Sequence, residues 1–314
     1  RHRRGDPERG PHRDVVDEVG EEQVEGEERA PEQEVVHRVE RALGGGEQDR
    51  DHEEEEQEYT IDTNGTCPLV CKKGTKICVN AEMFELNGGG QVTYPFQLKV
   101  IELYSIKDMI LRRIPSVASG NPLETSAEIR VRAFKNGNEI FLKPGKKYFL
   151  ETATLPSINS AMQSYYGYSS GNNANNWTNT ISNFIPGFVD TLSSISPTSN
   201  SYVTTPATTG WFSPALLHQS SSTTSITCSL TGTNTQNLQV YVSFKGFKGV
   251  MQIQNLSGTN FPVGENVTLV VFGKKQNNQY VLDLQNFTIA ANQQIIFNLQ
   301  DVSENDILNT LATL

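Results

Sequence analysis

The chain has 314 residues, 20% charged and 36% hydrophobic, with a formal net charge of −10, and its length suggests two domains rather than one. Residues 1–57 carry an acidic excess of about 11, so the remainder is near neutral at about +1. A near-neutral body argues against a nucleic-acid binder that works by neutralising phosphates, and no run of about 18 apolar residues is present to span a membrane.

Arg1 to Gln57 is built only from Arg, His, Gly, Asp, Pro, Glu, Val, Gln, Ala and Leu. Lacking Phe, Tyr, Trp, Ile and Met, it has little apolar surface to offset the entropy of ordering, and disorder is expected. Val35, Val36, Val39 and Leu43 share one helical stripe that ends at Gly44, Gly45 and Gly46, a helix that is marginal alone. Residue types with AT-rich codons (Lys, Ile, Asn, Phe, Tyr) are absent here and abundant afterwards, so the segment reads as either a misread coding stretch or a real acidic tail. His2, His12, His37 and His52 are too scattered within it to form a ligand set.

From Tyr59 onward, short alternating runs separated by turn residues predict antiparallel sandwiches. The runs Thr75 to Val79, Gln97 to Tyr104 and Ile129 to Phe134 read as strands. Asn136-Gly137 then marks a hairpin, because both central positions of a type I′ turn need positive φ. Ile140 to Lys143 runs back, and Pro144-Gly145 turns the chain into Lys147 to Glu151. The expected organisation is a first β-sandwich over 58–155, a Ser/Asn-rich bridge over 156–205 and a second β-sandwich over 206–314. In the bridge, Trp177, Ile181, Phe184 and Phe188 have helical spacing. In the last block, strands are expected at Ser225 to Leu230, Leu238 to Phe244, Val250 to Gln254, Val267 to Phe272, Tyr280 to Leu284, Phe287 to Ala290 and Ile295 to Leu299. Ser303, three residues before Asp306, predicts a capped C-terminal helix. The fold class is thus all-β, two antiparallel β-sandwich-like domains with a short C-terminal helix.

Several residues carry a resemblance. Gly74-Thr75-Lys76-Ile77, Phe84, the run Val100 to Ile110 and Leu123-Glu124-Thr125 resemble a family of uncharacterised exported proteins of Bacteroidetes. Gly210-Trp211, Pro262-Val263-Gly264 and the ending through Leu308, Leu311 and Leu314 are similar to the C-terminal block of that family, so the likeness spans most of 58–314 and none of 1–57. The N-terminal half also resembles the small β-sandwich domain shared by ankyrins and netrin receptors, a structural and partner-binding module. The resemblance implies a cell-envelope location, periplasmic or at the surface, and no known reaction.

Chemistry-bearing motifs are sparse. Gly167-Tyr168-Ser169-Ser170-Gly171, with Asp190 and His218 downstream, has the form of a nucleophile elbow, but Tyr and Asn flanks replace the strand and helix that strain the serine. His218 is the only histidine after residue 57. Cys67, Cys71, Cys78 and Cys228 do not match paired zinc knuckles. An exported protein would pair Cys67 or Cys71 with Cys78, the alternative being buried free thiols. Glu102, Asp108 and Glu124 invite a carboxylate-pair reading, against which Asp108 is equally explained as a loop anchor. Tyr165, Tyr166, Tyr168 and Trp177 are the candidate ligand-binding residues, a stacking surface for sugars, with core packing as the competing account. Arg112, Arg113, Arg130 and Arg132 read as a solvated sheet face. No catalytic residue, metal site or cofactor is assigned. The expected function is a non-enzymatic, structural or adhesive envelope protein that binds a partner protein or glycan. Alternatives are a carbohydrate-processing enzyme and a subunit that assembles through an edge strand.

Overall fold

A computed structural model describes residues 39, 42, 43, 56–63, 67–168, 175–180, 194–230 and 235–314. The expected all-β architecture is present, in two sandwiches. In the first, one large sheet runs through strands Gln57–Ile61, Phe96–Leu103, Glu128–Lys135, Gly210–Leu217, Gln163–Tyr168 and Asn176–Thr178. A smaller sheet packs on it, ordered Ile195–Pro197, Tyr202–Thr204, Phe149–Glu151, Lys76–Cys78 and Leu69–Val70. Strand alternation sends Leu98, Val100, Ile129, Val131 and Phe212 into the core between them, where they meet Ile77 and Leu150.

The second sandwich pairs a three-stranded sheet (Ser257–Pro262, Thr223–Leu230, Gln293–Phe297) with a five-stranded one. The latter is ordered Val250–Gln252, Thr235–Phe244, Asn266–Lys275, Tyr280–Thr288 and Gln300–Val302. Val240, Val242, Leu269 and Val271 fill its core with Ile226, Phe261 and Phe297. One pairing departs from the antiparallel expectation: Thr223–Leu230 and Gln293–Phe297 run parallel. Tyr280–Thr288 is a single strand where two short ones are expected, and Ser257–Pro262 lacks the alternation that would announce it.

The partition differs from the expected 58–155, 156–205 and 206–314. Gly210–Leu217 lies inside the first sandwich, between Glu128–Lys135 and Gln163–Tyr168. The described strands of the Ser/Asn-rich stretch, Gln163–Tyr168, Asn176–Thr178, Ile195–Pro197 and Tyr202–Thr204, therefore belong to that sandwich, and the chain passes to the second only after Leu217. Small buried hydroxyls make this possible: Thr125 Oγ1 and Ser213 Oγ are 2.7 Å apart, and Ser126 Oγ donates to the Pro214 carbonyl at 3.1 Å. Trp177 sits in a strand, whereas Ile181, Phe184 and Phe188 lie outside the described residues, as does most of 1–57. Of that first segment, Val39, Ala42 and Leu43 are buried against the core.

The two sandwiches share a third core. Helix α1 (Ile106–Arg112) and helix α2 (Glu304–Leu311) bury Met109, Ile110, Ile307 and Leu311 with Tyr241, Val270 and Phe272 from the outer face of the five-stranded sheet. The backbones also touch: Thr125 N donates to the Lys248 carbonyl at 2.7 Å and Ser116 N to the Val250 carbonyl at 2.8 Å. At Gly249 a Cβ would collide with the Leu123 carbonyl, so glycine sets how closely the 244–250 hairpin approaches. Among the described residues no helix is long and apolar enough to cross a membrane.

Candidate functional site

The four aromatic residues expected to stack on a sugar do not form one surface. Tyr165 and Tyr166 are neighbours in one strand, so they point to opposite faces and enter different cores. Tyr166 meets Phe212 edge-on at 5.8 Å. Trp177 meets Trp211 edge-on at 6.4 Å and donates its indole N–H to the Pro115 carbonyl at 2.9 Å. Tyr168 alone is part-exposed, its hydroxyl accepting from Asn176 Nδ2 at 2.8 Å. The ligand-binding assignment is corrected accordingly for Tyr165, Tyr166 and Trp177, whose buried rings build the sandwich rather than a binding face.

The carboxylates are likewise committed to structure. Glu102 is buried and accepts from Gln57 Nε2 (2.7 Å), Lys73 N (2.8 Å) and Thr75 N (2.9 Å). It occupies the inside of the Cys71–Thr75 turn, where Gly74, at φ 100°, closes the turn on the Cys71 carbonyl and leaves the flanking Lys73 and Thr75 N–H groups to the carboxylate. Asp108 closes the capping box of α1 with Ser105 and pairs with Lys73 Nζ at 2.8 Å. Burial pushes its pKa up, but the Lys73 ammonium and the Ser105 donors outweigh it and hold the carboxyl below its usual range. Glu124 accepts from Asn159 Nδ2 at 3.3 Å. Glu102 and Asp108 both hold the Cys71–Thr75 turn, through the backbone and the side chain of Lys73, and Glu124 serves a separate loop.

Arg130 and Arg112 are buried rather than solvated. Arg130 lies over the Trp211 ring and, with Arg132, faces Glu56 at 3.6 and 3.7 Å. Cys67 is joined to Cys78, and Cys71 and Cys228 are buried thiols. Burial pushes these up to about 12 and about 11, which suppresses thiolate reactivity. His218 stacks on Phe247 at 4.3 Å, with Nε2 3.2 Å from Glu265. Ser169, Ser170 and Asp190 lie outside the described residues. Among the described residues no three His, Cys, Asp or Glu side chains are grouped to hold a metal.

An open site lies elsewhere, between two hairpin tips of the first sandwich. One tip is the tight turn after strand Phe84–Glu85, closed by Leu86 N to the Gly90 carbonyl (2.8 Å) and Gly89 N to the Leu86 carbonyl (2.9 Å). The other is the predicted Asn136-Gly137 turn, with φ of 52° and 77°, leading into strand Asn138–Leu142. Pairing of Glu85 with Phe141 fixes the two side by side. The groove between them has a volume of about 660 Å³, within the range of small-molecule sites. Phe141 is 47% exposed at its edge, while its neighbours Ile140 and Leu142 point inward. Amides of Asn87, Gln91, Asn136 and Asn138 line the rest. Arg132 holds Glu139 through two contacts of 3.0 and 3.1 Å, and Lys135 Nζ donates to the Pro95 carbonyl at 2.6 Å. The sequence marks the Asn136-Gly137 turn and the strand after it, but the partner tip at Leu86–Gly90 is brought in by long-range pairing that no local pattern encodes.

A second cleft, of about 490 Å³, opens between the start of α1, the Phe244–Lys248 hairpin and Leu311–Leu314. Lys248 is committed there to the Tyr104 and Ser126 carbonyls at 3.0 and 2.9 Å. Comparison with protein-family models, with characterised proteins and with solved structures finds no match for the chain.

Proposed function

We propose that the protein is an exported, non-enzymatic binding protein of the cell envelope, in which two joined β-sandwiches hold a partner protein or glycan in the groove between the hairpin tips. The observation that carries the reading is the Cys67–Cys78 bridge, because such bridges persist in oxidising compartments and are rare where thiols are kept reduced. The remaining polar chemistry supports binding over turnover: Glu102, Asp108 and Lys248 are each occupied by structural partners. The resemblance to exported proteins points the same way.

Thiol counting by mass spectrometry on envelope and cytosolic fractions tests the reading. Native protein from the envelope is expected to take up no alkylating reagent at neutral pH, two equivalents when unfolded without reductant, and four after reduction. Cytosolic protein that takes up four equivalents without reductant would overturn it.

A further inference from the structure

We propose that Asn87 is a modification site, where the side-chain amide is lost to water through a cyclic imide with Gly88 and a carboxylate is left in the groove between the hairpin tips. The inference concerns the chain itself and holds whatever the groove binds.

Each wall of the groove carries an exposed Asn-Gly pair, Asn87-Gly88 on one tip and Asn136-Gly137 on the other. Imide closure needs the backbone nitrogen that follows an asparagine to reach the Cγ of that asparagine, and glycine alone puts no Cβ in the way. The two turns differ in how freely they allow it. Asn136, at φ 52°, is the left-handed first central residue of a type I′ turn, which directs the Gly137 nitrogen away from the Asn136 side chain. The ladder pairs Lys135 with Asn138 and Phe134 with Glu139 begin directly behind it. Asn87 keeps a negative φ, Gly88 stands at 97° and Gly89 N donates to the Leu86 carbonyl, which makes this a type II turn. Among the described residues neither the Asn87 side chain nor the Gly88 N–H makes a hydrogen bond. Nothing lies within 4 Å of where a Cβ would stand on Gly88 or Gly89, so the tip rearranges without loss of packing.

The step balances with water as its only co-reactant. The Gly88 nitrogen gives its proton to hydroxide and bonds to Asn87 Cγ. The Cγ–Nδ2 bond breaks, and Nδ2 takes up a proton and leaves as ammonia. Water then opens the imide at either carbonyl. Breaking the bond from Cγ to the Gly88 nitrogen leaves aspartate, and breaking the backbone C–N bond leaves isoaspartate, in which the chain runs through the side chain. In the lining Glu139 is neutralised by Arg132, while Lys135 keeps its charge on a backbone carbonyl, so the new carboxylate shares the groove with an ammonium.

The test incubates the full chain at mildly alkaline pH, folded and in denaturant, and follows amide loss by peptide mass spectrometry. Asn87, Asn136 and the exposed Asn278, which Gln279 follows, are compared. In the fold, Asn87 is expected to convert on the order of tenfold faster than either of the others, to aspartate and isoaspartate together. In denaturant the rates of Asn87 and Asn136 should converge, because their turns are what separates them. Asn87→Gln, which needs a larger and slower ring, is expected to lose the product at that peptide, with unchanged melting because the position is exposed. Conversion of Asn136 as fast as Asn87 in the fold, conversion of Asn87 no faster than Asn278, or a rate gap between Asn87 and Asn136 that survives denaturation overturns the inference.

Discussion

The two sandwiches solve the same packing problem with different materials. In the second, strands of nine and ten residues (Thr235–Phe244, Asn266–Lys275, Tyr280–Thr288) pair over most of their length around an aliphatic core. In the first, the smaller sheet is made of strands of two and three residues that supply few ladder hydrogen bonds. The buried charges Glu102, Glu128 and Arg130 all belong to this first sandwich, as does the disulfide. Where ladders are short, a carboxylate wrapped by backbone donors and a covalent bridge fix what strand pairing cannot. The second sandwich protects its edge instead: Asp283 accepts from Asn298 N at 2.9 Å, and Gln285 donates to the Ile296 carbonyl at 2.9 Å, so side chains cover part of the Gln293–Phe297 edge.

The sharpest way to break this contrast is at Glu102. Glu102→Ala strips three donors of their acceptor in a buried setting and is expected to cost about 4 kcal/mol. Thr268→Val in the second sandwich removes one side-chain bond, to Asn286 at 2.7 Å, and should cost about 1 kcal/mol. Urea unfolding measures both, and hydrogen exchange should show the Lys73 and Thr75 amides losing protection only in the first variant. Equal costs would mean that the cradle is not what holds the turn.

Reducing the Cys67–Cys78 bridge, with its sequence separation of 11, comes next, at about 3 kcal/mol from loop entropy. Melting with and without reductant reads it, and amide protection in Asn266–Lys275 should not change.

Glu128 gives the contrast a pH dependence. It is fully buried beside Ser116, whose hydroxyl donates to it at 2.9 Å, and its second oxygen has no partner. Burial pushes its pKa up to about 8 from an ordinary 4.5, against the opposing pull of Ser116 and Lys248. The fold therefore holds this proton more tightly than the unfolded chain does. Its contribution is complete below about 4.5 and is lost as pH rises through about 8. Glu128→Gln should stabilise the protein by about 2 kcal/mol at alkaline pH and by close to nothing under acid conditions. Thermal melting across that range checks the sign, and a variant that is less stable at high pH would show that Lys248 needs the carboxylate.

Local signals were legible where structure is local. The Asn136-Gly137 hairpin, the Phe96–Leu103 and Glu128–Lys135 strands and the capped C-terminal helix all follow from turn chemistry, alternation and capping. Gly210–Leu217 was misplaced because its partners, Glu128–Lys135 and Gln163–Tyr168, are tens of residues upstream, and nothing in GWFSPALL names them. Alternation assigned Arg130 to the right face but could not reveal that Trp211 and Glu56 cover that face. The same limit applied to the groove, since Phe141 is marked as outward-facing by its buried neighbours, yet the opposite wall arrives only through the pairing of Glu85 with Phe141.

The smallest effect compares the same motif in two settings. Both helices begin with a capping box, Ser105 with Asp108 in α1 and Ser303 with Asp306 in α2. In α2 the box stands alone: Ser303 Oγ accepts from Asp306 N at 3.2 Å, and the Asp306 carboxylate accepts from Ser303 N at 2.8 Å. In α1 the acid is tied in addition to Lys73, and the Tyr104 amide donates to it at 3.3 Å, so the helix start is anchored even without the serine. Ser303→Ala should therefore cost about 1 kcal/mol and Ser105→Ala only a few tenths. Hydrogen exchange should show α2 fraying from its first turn in the former variant, while α1 keeps its protection in the latter. Equal fraying of both would mean that the Lys73 contact adds nothing, and that the polar cluster of the first sandwich ends at Glu102 rather than reaching the shared core.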